Sequence, residues 1–195
     1  MAEDQATVST TADEDRAIAT LTTAFANDAV TRWVLRDAHL YVTYWPRLIR
    51  AFAGPAFDGG TADSIDDHGG VALWLAPGVS SDDEAMGAMA VEAIPEDQQD
   101  EIFSFMAQMA EFHPEEPHWY LALIGVDPMK QGHGHGSSLL VHALDRCDAE
   151  GLPAYLEASS PRNRALYQRH GFVEIGVIQA GSSPPMWPML RAART

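Results

Sequence analysis

The stretch DPMKQGHGHGSSLL, residues 127–140, sets three glycines and two histidines between a proline and a run of helical character. Three chemistries compete for it. A turn with little side-chain bulk just ahead of a helix leaves backbone N–H groups unpaired, and with the helix dipole they attract an anion such as a phosphate. Gly132, Gly134 and Gly136 permit positive φ and let that anion approach the chain closely. His133 and His135 raise the question of a metal, but they flank glycines in a loop and no HExxH or cysteine pattern adds a third ligand, so no metal is expected. The remaining reading is a plain tight turn. Three glycines at alternate positions, with Gln131 before them and Ser137 starting a helix, exceed what a turn requires. Two common nucleotide loops fail by inspection: Gly136 is followed by Ser137 with no lysine, and Ser137 stands where a GxGxxG run from Gly132 needs its last glycine.

Downstream residues add further options. Asn163 and Tyr167 lie four apart in a helical pattern and share a face, the alternative being a capping Asn and a half-buried core Tyr. Glu157, in PAYLEAS, either takes a proton in a desolvated cleft, where its pKa would rise, or pairs with an arginine as plain structure. Cys147 follows Leu140 and Leu144 at helical spacing, so its thiol is expected in the core and no covalent route runs through it. Lys130, Arg162, Arg164 and Arg169 cluster about both motifs, with Lys130 the best placed to neutralise a phosphate. His118 reads as a strand-end surface residue, outside the catalytic set.

The elements that must position these residues follow an α/β order. With 195 residues and 46% hydrophobic content the chain can bury one core, and a single domain is expected, with residues 1–7 loose. One helix starts near Asp13 with Thr11 as cap, and a second covers HLYVTYWPRLIRAFAG, broken or restarted at Pro46 and ended by Gly54. A strand lies in Gly69–Gly78; helices follow, one capped by Ser81 and one started by Pro95. Met86, Met89, Met106 and Met109 fall on their apolar faces, where core packing is the expected role and a methionine-lined pocket the other. The strand from His118 to Pro128 leads into the glycine stretch and a helix ending at Gly151. Then come a strand at PAYLEAS, a helix at PRNRALYQRHG, a strand at FVEIGVI and a last strand near MWPMLRA, an α/β or α+β sheet with helices on both faces.

Charge and composition narrow the partners. Residues 1–129 carry 5 Arg and no Lys against 23 acids, a balance of -18, and residues 130–195 carry 7 Lys and Arg against 5 acids, or +2. The final third can meet an anion, the rest repels nucleic acid, and an acidic cleft would draw a cationic small molecule. No apolar run reaches membrane-spanning length, the N-terminus lacks a signal-peptide pattern, and a lone cysteine suits a reducing cytoplasm.

VDPMKQGHGHGSSLL, with Gln131, Gly134 and Gly136 in a Gln/Arg-x-x-Gly-x-Gly/Ala pattern and RNRALYQRHGF downstream, resembles the GCN5-related N-acetyltransferase (GNAT) family. HWYLALIGVDP, LYQRHGF and WPML are similar to the puromycin N-acetyltransferase branch. The resemblance implies a mixed, mostly antiparallel central sheet with a splayed cofactor strand, residues 8–117 forming mainly the acceptor side and 118–195 mainly the acetyl-CoA side. It implies acetyl-CoA as co-substrate, with the segment Gln131, Gly132, His133, Gly134, His135, Gly136 and Ser137 on its pyrophosphate. Backbone at Ile124 and Val126 and the side chain of Asn163 would meet the pantetheine arm, and Tyr167 would protonate or steady the leaving sulfur. The acceptor is then a small amine, an aminonucleoside antibiotic among the possibilities, in a pocket closed by helices carrying Tyr44, Trp45, Phe103 and Phe105. A monomer or homodimer is expected; a non-catalytic acyl-CoA sensor of the same fold is the alternative.

Overall fold

A computed structural model of the chain describes residues 7–194. The stretch expected to be loose, 1–7, lies outside them except for exposed Thr7, and an edge strand, β1 (Val8–Thr10), begins at once. Helix α1 (Glu14–Ala24) is capped by Asp13, whose carboxylate accepts the Arg16 N–H. Thr11 sits two positions too early to reach a first-turn amide and instead accepts the Asp13 N–H. Helix α2 (Ala29–Val34) is short and capped by Asp28, and α3 (Ala38–Ala53) is capped by Asp37. The break expected at Pro46 is absent, and α3 runs through it. The carbonyl that loses its partner belongs to Val42, a residue 62% exposed, where water can take the place of the missing N–H. Gly54 ends α3 as its position predicts, and α4 (Pro55–Asp58) restarts with proline in its first turn.

Strands β2 (Ala62–Ile65) and β3 (Gly70–Leu75) form a hairpin, followed by α5 (Asp83–Ala93) and α6 (Glu96–Phe112). Asp82, not Ser81, caps α5; the Ser81 hydroxyl spends itself on the Asp83 carboxylate. Strand β4 (Trp119–Val126), helix α7 (His135–Glu150), β5 (Ala154–Ala158), α8 (Pro161–Arg169), β6 (Val173–Glu174) and β7 (Trp187–Arg191) complete the order. The strand foreseen over FVEIGVI shrinks to two residues. Past Ile175 the chain leaves the ladder and pairs again only in an isolated bridge of Ile178 with Met186, and Gly176 lets the Phe112 ring rest where a side chain would stand.

One seven-stranded sheet results, in the order β1-β2-β3-β4-β5-β7-β6, antiparallel except where β4 meets β5. Two features of β4 matter for the clefts beside it. Leu123 pairs with Leu73 but Leu121 with Trp74, so Ala122 is an extra residue that bulges the strand. On the other edge β4 pairs with β5 only at Trp119 and Tyr120, after which the strands part and leave the far half of β4 without a strand partner on that side among the described residues. The splay is thus present.

Alternation along β3 divides the core. Val71, Leu73 and Leu75 face α1, α3 and α4, while Ala72 and Trp74 face α7, whose Leu139, Leu140, Ala143, Leu144 and Cys147 are all buried. Each such leucine contributes about 1.5–3 kcal/mol by leaving water, which makes α7 a rigid mount for the loop at its N-terminus. No described helix is long and apolar enough to cross a membrane.

Candidate active site

The glycine stretch folds as a short 3-10 turn (Pro128–Lys130) and a loop that enters α7. Gly132 and Gly134 both hold φ +85, and nothing lies within 4 Å of where a Cβ would sit on either. Among the described residues no acceptor meets the backbone N–H groups from 132 to 137, and α7 has no side-chain cap at its start. These amides border a cleft of about 390 Å³ lined also by Ile124, Val126, Gly136, Ser137, Arg162 and Arg169. Open space above positive-φ glycines, donors without partners and two guanidinium groups fit a diphosphate by donor chemistry and by charge.

The loop is braced from outside. At the β2–β3 turn Asp66, Asp67 and His68 hold φ of 53, 49 and 65, a left-handed conformation that Asp and His tolerate better than most residues. The turn aims the Asp66 carboxylate at Lys130 Nζ (3.0 Å) and His135 Nε2 (3.3 Å). Lys130 lies across Gly69, where a Cβ would come within 2.4 Å of its Cδ. Lys130 is therefore held by Asp66 and does not line the cleft; Arg162 and Arg169 line it instead. Gln131 donates to the Val126 carbonyl (3.2 Å) and accepts from Arg162 (3.0 Å), tying the strand end to α8. His135 lines the cleft, whereas His133 turns outward with Nδ1 against the Lys130 carbonyl. Ser137 meets His170 Nε2 at 2.7 Å, and burial lowers the His170 pKa. Among the described residues no cluster of three or more His, Cys, Asp or Glu is arranged for a metal.

A second cavity, about 250 Å³, opens between β4, β5, α8 and the helices α2, α3, α5 and α6. The two share Phe25, Asp28, Ile124, Asn163 and Tyr167. Ser160 caps α8 by accepting the Asn163 N–H, which leaves the Asn163 side chain for the junction rather than for capping. Tyr167 is 4% exposed and packs on Phe172, so it is a core tyrosine as well as a wall of both cavities. Its hydroxyl has no partner among the described residues. Burial first, then the charge of Asp28, hold that phenol far above its ordinary pKa, so it stays protonated.

Glu157 faces the second cavity and pairs with no arginine among the described residues. Tyr120 donates to its Oε2 at 2.8 Å. Burial pushes the Glu157 carboxyl up to about 7, against the pull of Tyr120 and then of the nearby Tyr155, whose buried hydroxyl itself makes no hydrogen bond among the described residues. Sequence reasoning missed Tyr120 and Asp28. In sequence nothing distinguishes Tyr120 from the other aromatics of its strand, because its meeting with Glu157 depends on the β4–β5 register. Asp28 carried a capping signal and does cap α2, but its other oxygen accepts from Ser159 at 2.5 Å, at the junction of the cavities. Of the four aromatics expected to close a pocket, Trp45 and Phe105 line it; Phe103 faces solvent and Tyr44 lies under Arg47. Met86, Met106 and Met109 line it too, so the methionine-pocket reading holds for three of the four, with Met89 buried.

Compared with known proteins, residues 38–172 match the sequence profile of the Acetyltransferase (GNAT) family. The chain belongs to the GNAT family. It is 26% identical to an uncharacterized N-acetyltransferase of Schizosaccharomyces pombe over 94% of this chain and 81% of that protein. A Corynebacterium glutamicum structure described as a histone acetyltransferase HPA2 and related acetyltransferase superposes with TM-score 0.69 at 27% identity, covering 97% of each chain. Arylalkylamine N-acetyltransferase 2 of Aedes aegypti shares the fold at 12% identity, with TM-score 0.69 over 98% of this chain and 100% of that one. In GNAT terms the glycine loop, the splayed β4 and Tyr167 stand in one continuous groove, with Asn163 one helical turn before Tyr167. Cys147 is outside it: the thiol is buried, donates to the Ala143 carbonyl and is pushed up to about 11 by burial. A thiolate nucleophile is not on offer.

Proposed function

We propose that this GNAT protein transfers the acetyl group of acetyl-CoA to the amine of a small molecule by direct attack on the thioester. The observation that carries the reading is the meeting of the two cavities at Ile124, Asn163 and Tyr167, one end lined by anion-binding amides and the other by a carboxylate of raised pKa. Acetyl-CoA supplies an activated acetyl carbon; the protein positions it and handles protons. Residues 132–137 with Arg162 and Arg169 hold the diphosphate, while the edge of β4 that β5 leaves open at Ile124 and Val126 and the Asn163 amide guide the arm. Glu157 takes one proton from the ammonium, leaving a lone pair for attack. As the new C–N bond forms and the C–S bond breaks, the Tyr167 hydroxyl protonates or steadies the departing sulfur, and the nitrogen's second surplus proton is balanced by the thiol of free CoA.

The puromycin-like motifs HWYLALIGVDP, LYQRHGF and WPML are the reason to include an aminonucleoside in the panel of amines to be tested. Release of CoA thiol from acetyl-CoA in the presence of an amine panel tests the reading. Amine-dependent release is the expected result; binding of acetyl-CoA without turnover of any amine would instead describe a sensor. Gly134→Val gives a second check. A β-branched residue at φ +85 is strained by about 1–2 kcal/mol and fills the open space above the turn. Affinity for CoA should fall by about tenfold or more by calorimetry, with the circular dichroism spectrum unchanged; unaltered affinity would remove the diphosphate from this loop.

A further inference from the structure

The acceptor cavity has two unlike ends. Its polar groups, Asp28, Thr31, Tyr120, Glu157, Ser159, Asn163 and Tyr167, come from β4, β5, the β5–α8 link, α8 and the first turn of α2, toward the donor cleft. Away from them the wall is built by Val34, Leu48, Phe52, Met86, Phe105 and Met109, from α2, α3, α5 and α6. Among the described residues no lysine, arginine or histidine lines the cavity, and beyond the polar end no carboxylate does. At about 250 Å³ it falls below the roughly 300–1,000 Å³ usual for drug-sized ligands.

We infer that the acceptor is a small primary monoamine on an apolar body, an arylalkyl or alkyl amine, and that this site discriminates against diamines, guanidino amines and polyamines. The inference rests on the acetyl-transfer reading and names its substrate class. One ammonium is met by Asp28 and Glu157 beside the thioester. A second cation a few carbons away would lie against methionine, leucine and phenylalanine with nothing to pair it, and an unpaired buried charge is costly. The apolar body instead gains from leaving water, and methionine and aromatic walls adapt to a flat ring. Flexible methionines, more than a rigid slot, set how strictly the body's shape is read.

The experiment compares 2-phenylethylamine, tryptamine and hexylamine with putrescine, agmatine and spermidine, all with saturating acetyl-CoA. Thiol release gives kcat/KM, and calorimetry gives binding of each amine to the CoA-loaded protein. The monoamines are expected to exceed the di- and polycations by about 100-fold in both. Diamines or agmatine bound and acetylated as well as phenylethylamine would overturn the inference while leaving acetyl transfer intact. If no amine is acetylated, the transfer reading fails, and the binding order still decides the pocket: preference for the monoamines upholds it and parity sinks it. Met106→Glu supplies an internal control, because Met106 lines the cavity yet is 43% exposed and can accept a charge without harming the fold. It should narrow the ratio of phenylethylamine to putrescine by about tenfold or more. An unchanged ratio would show that the apolar end does not read the body of the amine.

Discussion

Tyr167→Phe is expected to lower kcat by about 10²–10⁴-fold, the span general acids contribute, while the affinity for CoA stays within about threefold. The reason is where the hydroxyl stands. The ring is packed against Phe172 in the core cluster beneath α7 and α8, and phenylalanine keeps every one of those contacts. What is lost is a single protonated oxygen at the boundary of the two cavities, held protonated by burial and by the charge of Asp28. A group that acts only as the sulfur departs stabilises the transition state and not the bound donor, so the loss belongs in kcat. Thermal unfolding of the variant should match the parent closely. If kcat stays within about threefold of the parent while the fold is intact, Tyr167 is wall and nothing more.

The glycine loop was legible because its signal is local. Positive φ, unpaired amides and a helix start are all consequences of a few adjacent residues, and the structure sets Gly132 and Gly134 at φ +85. The order of the long elements was legible for the same reason: alternating or helical apolar spacing in β3, β4, α3 and α7 names the buried face directly. Short elements were not. β1, β2, α2 and α4 span three to six residues each, too few for a periodic pattern, and they form because the neighbouring strand or helix pairs with them. Pro46 misled because the carbonyl it frees, on Val42, stands at an exposed position where water can bond it, and the helix carries the proline instead of stopping there.

Contacts between distant residues were the other blind spot. Lys130 sits beside the loop in sequence, but the strained turn at Asp66, Asp67 and His68 captures it, and nothing in residues 127–137 foretells that hairpin. Glu157 could be singled out as a carboxylate in a cofactor-side strand, yet choosing between base and ion pair needed its neighbours across the sheet. Those turn out to be the Tyr120 hydroxyl and the polar end of the cavity, with no arginine paired to it among the described residues. Asp28 shows how one residue answers two demands, with one oxygen capping a helix and the other at the site.

The choice of Glu157 as base leads to the second large effect. With its carboxyl pushed up to about 7 by burial, kcat/KM for the amine should rise with pH through about 7 and level off above it, as the ionised form accumulates. Glu157→Gln keeps shape and a hydrogen-bond acceptor for Tyr120 but cannot take the proton. It should cost about 10²–10³-fold in kcat/KM at neutral pH and abolish that inflection, leaving activity that climbs only as the free amine itself loses its proton. Tyr120→Phe probes the same group from the other side. Its hydroxyl donates to the carboxylate and so favours the ionised form; without it the inflection should move to higher pH while the maximum rate changes less. Stability carries an independent signature with the opposite sense. A carboxyl whose folded pKa lies above its unfolded value stabilises the fold most when protonated, so stability falls as pH rises from the ordinary glutamate range toward 7. Glu157→Gln should flatten that slope in denaturant melts. A pH profile of kcat/KM unchanged in the glutamine variant would assign the proton to another acceptor, whatever the melts show.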